Sequence, residues 1–533
     1  MLFNSYEFIL VFLPIAVFVF YQLAKFGGRK LAVPWLVVAS LFFYGYWNPP
    51  YTVLLIISIG INYILGQLLA KTQATDREKL GKVLLALSIA FNLALLGYYK
   101  YLNFFVDSLN GIAGTSFLVR EIFLPLGISF YTFQQISYLV DSLEGETKGY
   151  RFIDYCLFVS FFPQLIAGPI VSHQEMMPQF SKKAGFQFDP EDLVVGLTIF
   201  SMGLFKKVIL ADQIALYSTP IFQAADGGIA LTFAEAWMGA LAYTMQIYFD
   251  FSGYSDMAIG AARMMGFKLP VNFNSPYKAV NIVDYWQRWH ITLTRFLTRY
   301  LYNPIVLNFS RRRIQQGKSL IKKGVGTPAA FLELVAFPTI LTMFLSGLWH
   351  GAGWQYIVFG LLHGFYLAIH HGWRMWCKSM GISSKESSWW HLRIGQVLTF
   401  GCVMVAMVFF RAPSVRNALT VLSAMVGANG IAFTDGALFS NQLLESPQFG
   451  VLLLATLSII AFCFPNTQEW LANYKPALGV QPNPADKYRP KLGQLWQHFA
   501  WRPNRAWAAI TATLAVAAFL GLSEVSEFIY FQF

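Results

Sequence analysis

Seven stretches of this chain are about as long as a bilayer crossing and carry at most one charged residue apiece: 8–24, 31–47, 51–70, 83–99, 152–170, 331–349 and 449–464. A helix needs ~20 apolar residues to cross the hydrocarbon layer. Backbone N–H and C=O groups cannot stay unpaired in lipid, so such runs must be helical. The stretches 122–140, 191–212, 229–249, 352–376, 392–410 and 506–522 extend the pattern. Hydrophobic residues make up 56% of the chain and charged residues 12%, too few polar side chains to cover a soluble fold of this length. The expected fold class is therefore all-α, a polytopic membrane helical bundle of roughly 11–14 membrane segments, some re-entrant or interfacial. The whole of 1–533 reads as one membrane domain, with 410–533 as a carboxy-terminal membrane extension.

The first stretch has no basic region before it and no small-residue cleavage site after it, so it is expected to remain as a span. Lys25, Arg29 and Lys30 follow it, and Lys71, Arg77, Lys79 and Lys82 follow the third stretch. The connection Trp47-Asn48-Pro49-Pro50 between them is uncharged. The positive-inside rule then sets both basic loops in the cytoplasm and the amino terminus outside. Loops of this kind account for most of the net charge of +12, leaving some for docking a phosphorylated donor. Scattered cations among membrane spans exclude a nucleic-acid-binding domain. Cys156, Cys377, Cys402 and Cys463 are far apart with no CxxC pair, which argues against a zinc site or a disulfide framework.

Polar interruptions fall at 171–190, 306–327, 377–391 and 466–505. Six cations and no acid lie within 311–323, which suits a surface near anionic lipid headgroups. Pro476, Pro482, Pro484 and Pro490 crowd 466–505, which predicts an irregular loop outside the membrane. Over 283–303, a helical wheel gathers Trp286, Trp289, His290, Leu293, Phe296, Leu297, Tyr300 and Leu301 on one face. Arg288, Arg295 and Arg299 fall opposite, with Asp284 one turn before Arg288. Such a helix is expected at the interface or along a polar cavity.

A titratable residue at membrane depth is costly and hence a functional candidate. His350 ends the run 331–349 and opens His350-Gly351-Ala352-Gly353-Trp354, just after Trp349. The glycines allow a turn or a close backbone approach, and the two tryptophans can wall a pocket. An imidazole can take a proton from a hydroxyl at neutral pH, as transfer of an acyl group from a thioester to an alcohol requires. A hydrogen-bonded structural histidine is the other reading. Asp250 and Asp256 sit in an aromatic, glycine-containing stretch. Either they belong to a polar network beside a catalytic base, or they cap and pack helices. Lys206 and Lys207 interrupt an apolar run and are expected to snorkel to headgroups, a donor phosphate being the alternative. His363 reads as structural, and His370 and His371 lack the acidic partner or spacing of a metal site.

The stretch Ser346-Gly347-Leu348-Trp349-His350-Gly351-Ala352-Gly353-Trp354, with His363-Gly364 beyond it, resembles the active-site region of membrane-bound O-acyltransferases. The bacterial alginate O-acetyltransferase branch is matched in order by several more segments. These are 125–134, Phe162-Pro163-Gln164 through Ile170, Gly203 through Lys207, Tyr248 through Asp256, and Asn272 through Tyr277 continuing to Trp286-Gln287-Arg288-Trp289-His290. The tail 528–533 agrees too. After Tyr302-Asn303-Pro304 the chain departs, with Ile305 through Asn308 where many relatives carry Leu-Gly-Gly. The resemblance implies that His350 is the catalytic histidine and His290 a second histidine in the same funnel. Trp349, Trp354, Trp286, Asp250 and Asp256 would line or support the channel. It implies no tightly bound cofactor and no metal, with acetyl-CoA as acyl donor. It further implies a periplasmic acetyltransferase partner that completes transfer to a polysaccharide, and a place in the bacterial inner membrane. Alginate is the first acceptor to consider, with cellulose-like polymers and peptidoglycan as competitors. D-alanyl transfer to teichoic acid, or a transporter of polysaccharide precursors, are the alternatives.

Overall fold

The fold is taken from a computed structural model that describes residues 1–118, 122–181, 186–322, 324–382, 389–431, 446–480, 496, 498–523 and 529. The described residues form helices and connecting turns, with only isolated backbone bridges such as Pro270 with Leu478. Six helices are long and apolar enough to cross a membrane: Glu7–Gly27, Pro49–Ala74, Glu78–Ala113, Pro190–Asp226, Pro328–His350 and Trp389–Arg411. Pro447–Cys463 and Arg505–Leu520 are shorter apolar helices. Two further expected spans are helical but differ in kind. Arg29–Gly45 is 17 residues long, and Trp354–Ser379 carries His, Arg and Lys along its length.

The bundle is organised around Phe233–Met264, a 32-residue helix buried almost from end to end. Thr232 and Glu235 form a reciprocal capping box at its start. Its partner Pro190–Phe205 lies backbone to backbone against it, and glycines make that approach possible. A Cβ on Gly253 would sit 2.7 Å from the Gly203 carbonyl oxygen, and one on Gly260 would sit 2.6 Å from the Phe200 nitrogen. Small residues allow this in a membrane bundle, where packing and polar contacts replace the hydrophobic effect as the adhesive between helices.

Several expectations change on contact with the fold. The stretch 152–170 is no span. It is a helix, Phe152–Ser160, followed by a short turn, Phe162–Leu165, and every residue from Asp154 to Ile170 is buried. Continuing the helix would drive the Pro163 ring into the Val159 carbonyl. Within 122–140 the helix starts only at Ile128, after Gly127 in the left-handed region (φ 70°). The amphipathic helix expected over 283–303 is broken: Ile282–Trp286 and Ile291–Leu297 are separate, and His290 between them has φ 43° and ψ 52°. The sidedness survives the break. Trp286, Trp289, His290, Leu293 and Leu297 are buried, while Arg295 stays half exposed and Arg288 pairs with Asp284 at 2.8 Å. In the basic segment, Arg313 turns inward and pairs with Glu333 at 2.9 Å, so it does not face headgroups. Lys323, Pro482, Pro484, Pro490 and the tail motif, apart from a buried Ile529, lie outside the described residues.

Candidate active site

His350 ends the helix Phe337–His350, which folds back on Trp354–Ser379 in a hairpin. The turn is tight because the two helices touch through glycine: a Cβ on Gly347 would lie 2.3 Å from the Tyr356 carbonyl oxygen. Gly351 and Gly353 are extended (φ −166° and −170°), so they serve close approach and not a left-handed turn. A Cβ on Gly351 would lie 2.2 Å from the Tyr356 ring.

The last carbonyls of a helix have no intrahelical donor and carry its partial negative charge. Here the segment Gly97–Tyr101, a π-helical turn, supplies donors from across the bundle. The Tyr101 hydroxyl donates to the Leu348 carbonyl at 2.8 Å. The Lys100 ammonium donates to the Trp349 carbonyl and lies 3.5 Å from that of His350. A lysine from a distant helix thus fixes the backbone that carries His350.

His350 is one member of a closed circuit of aromatic rings. Trp349 lies 4.9 Å from it and His290 6.2 Å from Trp349, centroid to centroid. From His290 the circuit runs through Phe251 (4.8 Å), Phe273 (4.9 Å), Trp289 (5.0 Å) and Tyr285 (5.8 Å). It returns through His363 (6.1 Å), Phe359 (4.7 Å) and back to His350 (5.7 Å). All three histidines are buried, at 0–4% exposure.

Their hydrogen bonds assign the ring nitrogens. Asn272 Oδ1 accepts from the Thr292 hydroxyl at 2.9 Å and faces His290 Nδ1 at 3.1 Å. An amide oxygen only accepts, so His290 Nδ1 carries the proton, and the neutral ring presents a bare lone pair at Nε2. The Trp286 indole donates to His363 Nδ1 at 3.3 Å. Indole only donates, so the proton of a neutral His363 sits on Nε2. Both of these Nε2 atoms, His350 Nδ1, the Trp349 indole nitrogen and the Ser346 hydroxyl are buried with no partner among the described residues. Buried polar atoms are nearly always satisfied, so these atoms call for partners from outside the protein, water or substrate. Two cavities reach its flanks. One, of about 380 Å³, is lined by Trp286, Thr342, Met343 and His371. The other, of about 140 Å³, is lined by Thr292, Phe296, Arg295 and Arg299.

The structure brings His350, His290, Trp349 and Trp286 together and leaves the other expected site residues elsewhere. Trp354 is 54% exposed and packs against Phe104 at 5.8 Å. It walls no pocket with Trp349, and Trp354→Ala is expected to leave acyl transfer within about twofold of the parent, as for a surface substitution. Asp250 and Asp256 belong to ion pairs. Lys207 is 1% exposed and lies 2.6 Å from Asp250 and 2.7 Å from Asp212, while Asp256 meets Lys206 at 2.6 Å. Thr467 and Gln468 also donate to Asp256, at 2.6 and 3.0 Å. Neither lysine snorkels, because a carboxylate one helix away neutralises each inside the bundle. Sequence reasoning passed over Lys100 and Asn272 and took His363 as structural. The signal for Lys100 was a single cation among Tyr98, Tyr99 and Tyr101 at the end of an apolar run.

Among the described residues, Asp141, Glu146 and His173 lie close enough to share a cation. Arg299 already bridges the two carboxylates at 3.1 and 2.9 Å, and the Tyr300 hydroxyl donates to Asp141 at 2.7 Å. A guanidinium and a phenol fill the place a metal would take.

The model of the membrane-bound O-acyltransferase family matches residues 109–317. A peptidoglycan O-acetyltransferase of Helicobacter pylori is 39% identical over 510 residues, covering 88% of this chain and 90% of its own. A protein of Pseudomonas putida named as a probable alginate O-acetylase is 36% identical over 545 residues, spanning 100% of both chains. A teichoic acid D-alanyltransferase of Bacillus subtilis is 28% identical, across 54% of this chain and 68% of its own.

Proposed function

The chain belongs to the membrane-bound O-acyltransferase family, and we propose that it moves an acetyl group from a cytoplasmic thioester, acetyl-CoA, towards hydroxyls of an extracytoplasmic polysaccharide. The observation that carries this reading is the closed circuit of aromatic rings that includes three buried histidines, each with a ring nitrogen lacking a partner among the described residues. In the proposed reaction the acceptor oxygen attacks the thioester carbonyl while His350 takes the hydroxyl proton. The C–S bond then breaks and the proton passes to the departing sulfur, giving an ester and a free thiol. His290, with Nδ1–H tied to Asn272, offers the Nε2 lone pair to orient the hydroxyl. His363, its Nε2–H aimed away from Trp286, offers a donor to the oxyanion. A periplasmic acetyltransferase partner completes delivery to the polymer, and the protein resides in the bacterial inner membrane.

Removing a single oxyanion donor costs ~10²–10³ in turnover. His363→Ala is therefore expected to lower kcat by about 10² with KM little changed, and His363→Gln, which keeps an N–H, to restore part of it. Equal loss in both variants would make His363 a packing residue.

A relative that spans the chain end to end is named for alginate and another relative for peptidoglycan. We take an exopolysaccharide of the alginate kind as the acceptor. Ester-linked acetate measured on exopolysaccharide and on peptidoglycan, from cells with and without this gene, tests the choice. Loss confined to exopolysaccharide supports it, loss confined to peptidoglycan reassigns the polymer, and loss from neither sinks the reading.

A further inference from the structure

A groove of about 1180 Å³ runs beside the helix Glu7–Gly27, away from the histidines. Its other wall is the start of Pro190–Asp226, and Ala515 and Phe519 of the helix Arg505–Leu520 close one end. Phe519 stacks edge-on against Tyr6 at 5.0 Å, which sets that end at the beginning of the first helix. Lys25 lies at the other end, 19 residues further along, or ~28 Å at 1.5 Å per residue. The groove is thus as long as the hydrocarbon layer is thick and exceeds the ~300–1,000 Å³ of ordinary small-molecule sites. Its walls are apolar, and Phe18 and Leu197 stand 64% and 46% exposed along them.

The charged residues that line the groove, Lys25 and Arg29, fall at one end. Arg29 is neutralised there by Asp154, and its Nε donates to the Phe180 carbonyl at 2.6 Å. The nearby acids are engaged as well: Asp192 pairs with Arg263 at 2.7 Å, and Asp189 caps the Glu191 N–H at 2.8 Å. Lys25 is exposed and forms no ion pair among the described residues. A long apolar cleft with the exposed Lys25 at its mouth has the chemistry that suits a phosphate ester carrying hydrocarbon chains.

We propose that this groove is a site for a single glycerophospholipid, its acyl chains between the first helix and Pro190–Asp226 and its phosphate at Lys25. Within a bilayer, apolar burial cannot favour this groove over bulk lipid, because the tails are as apolar as its walls. Shape and the phosphate–ammonium contact must hold the occupant, so binding discriminates by headgroup. The assignment is independent of the acyl-transfer reading.

The test is native mass spectrometry of the full chain in mild detergent, titrated with phosphatidylglycerol or with diacylglycerol of the same chains. One phosphatidylglycerol should bind about tenfold tighter than diacylglycerol, a preference that Lys25→Glu removes. Ser201→Trp, which fills the groove from the Pro190–Asp226 wall, should lower phospholipid occupancy about tenfold. Val17→Trp does the same from the opposite wall should Ser201→Trp fail to yield folded protein. Unchanged occupancy in a monodisperse tryptophan variant, or equal binding of the two lipids by the parent, would overturn the site.

Discussion

Cells carrying His350→Ala are expected to lose ester-linked acetate from their exopolysaccharide while the variant stays in the membrane at the parental level. The size of the loss follows from the step removed. General-base catalysis contributes ~10²–10⁴ in rate, and among the described residues no carboxylate forms a hydrogen bond or ion pair with the His350 ring, so none stands ready to take over the proton. His290 and His363 are the other imidazoles in the circuit, but the Nδ1 of each is committed, to Asn272 and to the Trp286 indole. The fold should survive, because the Lys100 and Tyr101 contacts that hold this helix end reach backbone carbonyls, not the imidazole. Acetate reduced only twofold or threefold would remove His350 from the chemistry.

Lys207→Met is expected to act on stability instead, and strongly. It leaves the carboxylates of Asp250 and Asp212 buried without the cation between them, at 1% and 15% exposure. Breaking a buried ion pair from one side costs ~3–5 kcal/mol, a large part of the ~5–15 kcal/mol that holds a typical native state. The membrane level of the variant should fall several-fold. Asp250→Asn provides the contrast, since the Lys207–Asp212 pair remains. It should keep turnover per folded molecule within about threefold of the parent. A tenfold fall in specific turnover at full abundance would return Asp250 to the reaction path.

The sequence told most where physics acts locally. Apolar runs such as 51–70 became the helix Pro49–Ala74, since lipid leaves the backbone no other choice. His350 stood out because a titratable group at the end of an apolar run is conspicuous alone. What could not be read depends on partners far along the chain. Lys100 meets Trp349 across 249 positions and Thr467 meets Asp256 across 211. The paired lysines looked bound for headgroups because their carboxylates lie on other turns and other helices. The wheel drawn over 283–303 sorted buried from exposed residues correctly but assumed a continuous helix. The first helix stops at Trp286 and His290 sits in the left-handed region just before the next begins, which helical periodicity cannot foretell. That break points the ring at Asn272 and so decides which nitrogen is bare. His363 looked structural because only the fold sets it on the same circuit as His350.

The most direct test of the central claim is transfer by the purified full chain in lipid nanodiscs. Acetyl-CoA labelled in the acetyl group is supplied with a short saccharide, and thiol release and labelled ester are followed together. The account predicts that both appear in equal amounts with the parent and fall by at least ~10² with His350→Ala. Parental transfer by the variant, or no labelled ester from the parent with or without the proposed periplasmic acetyltransferase, would contradict it.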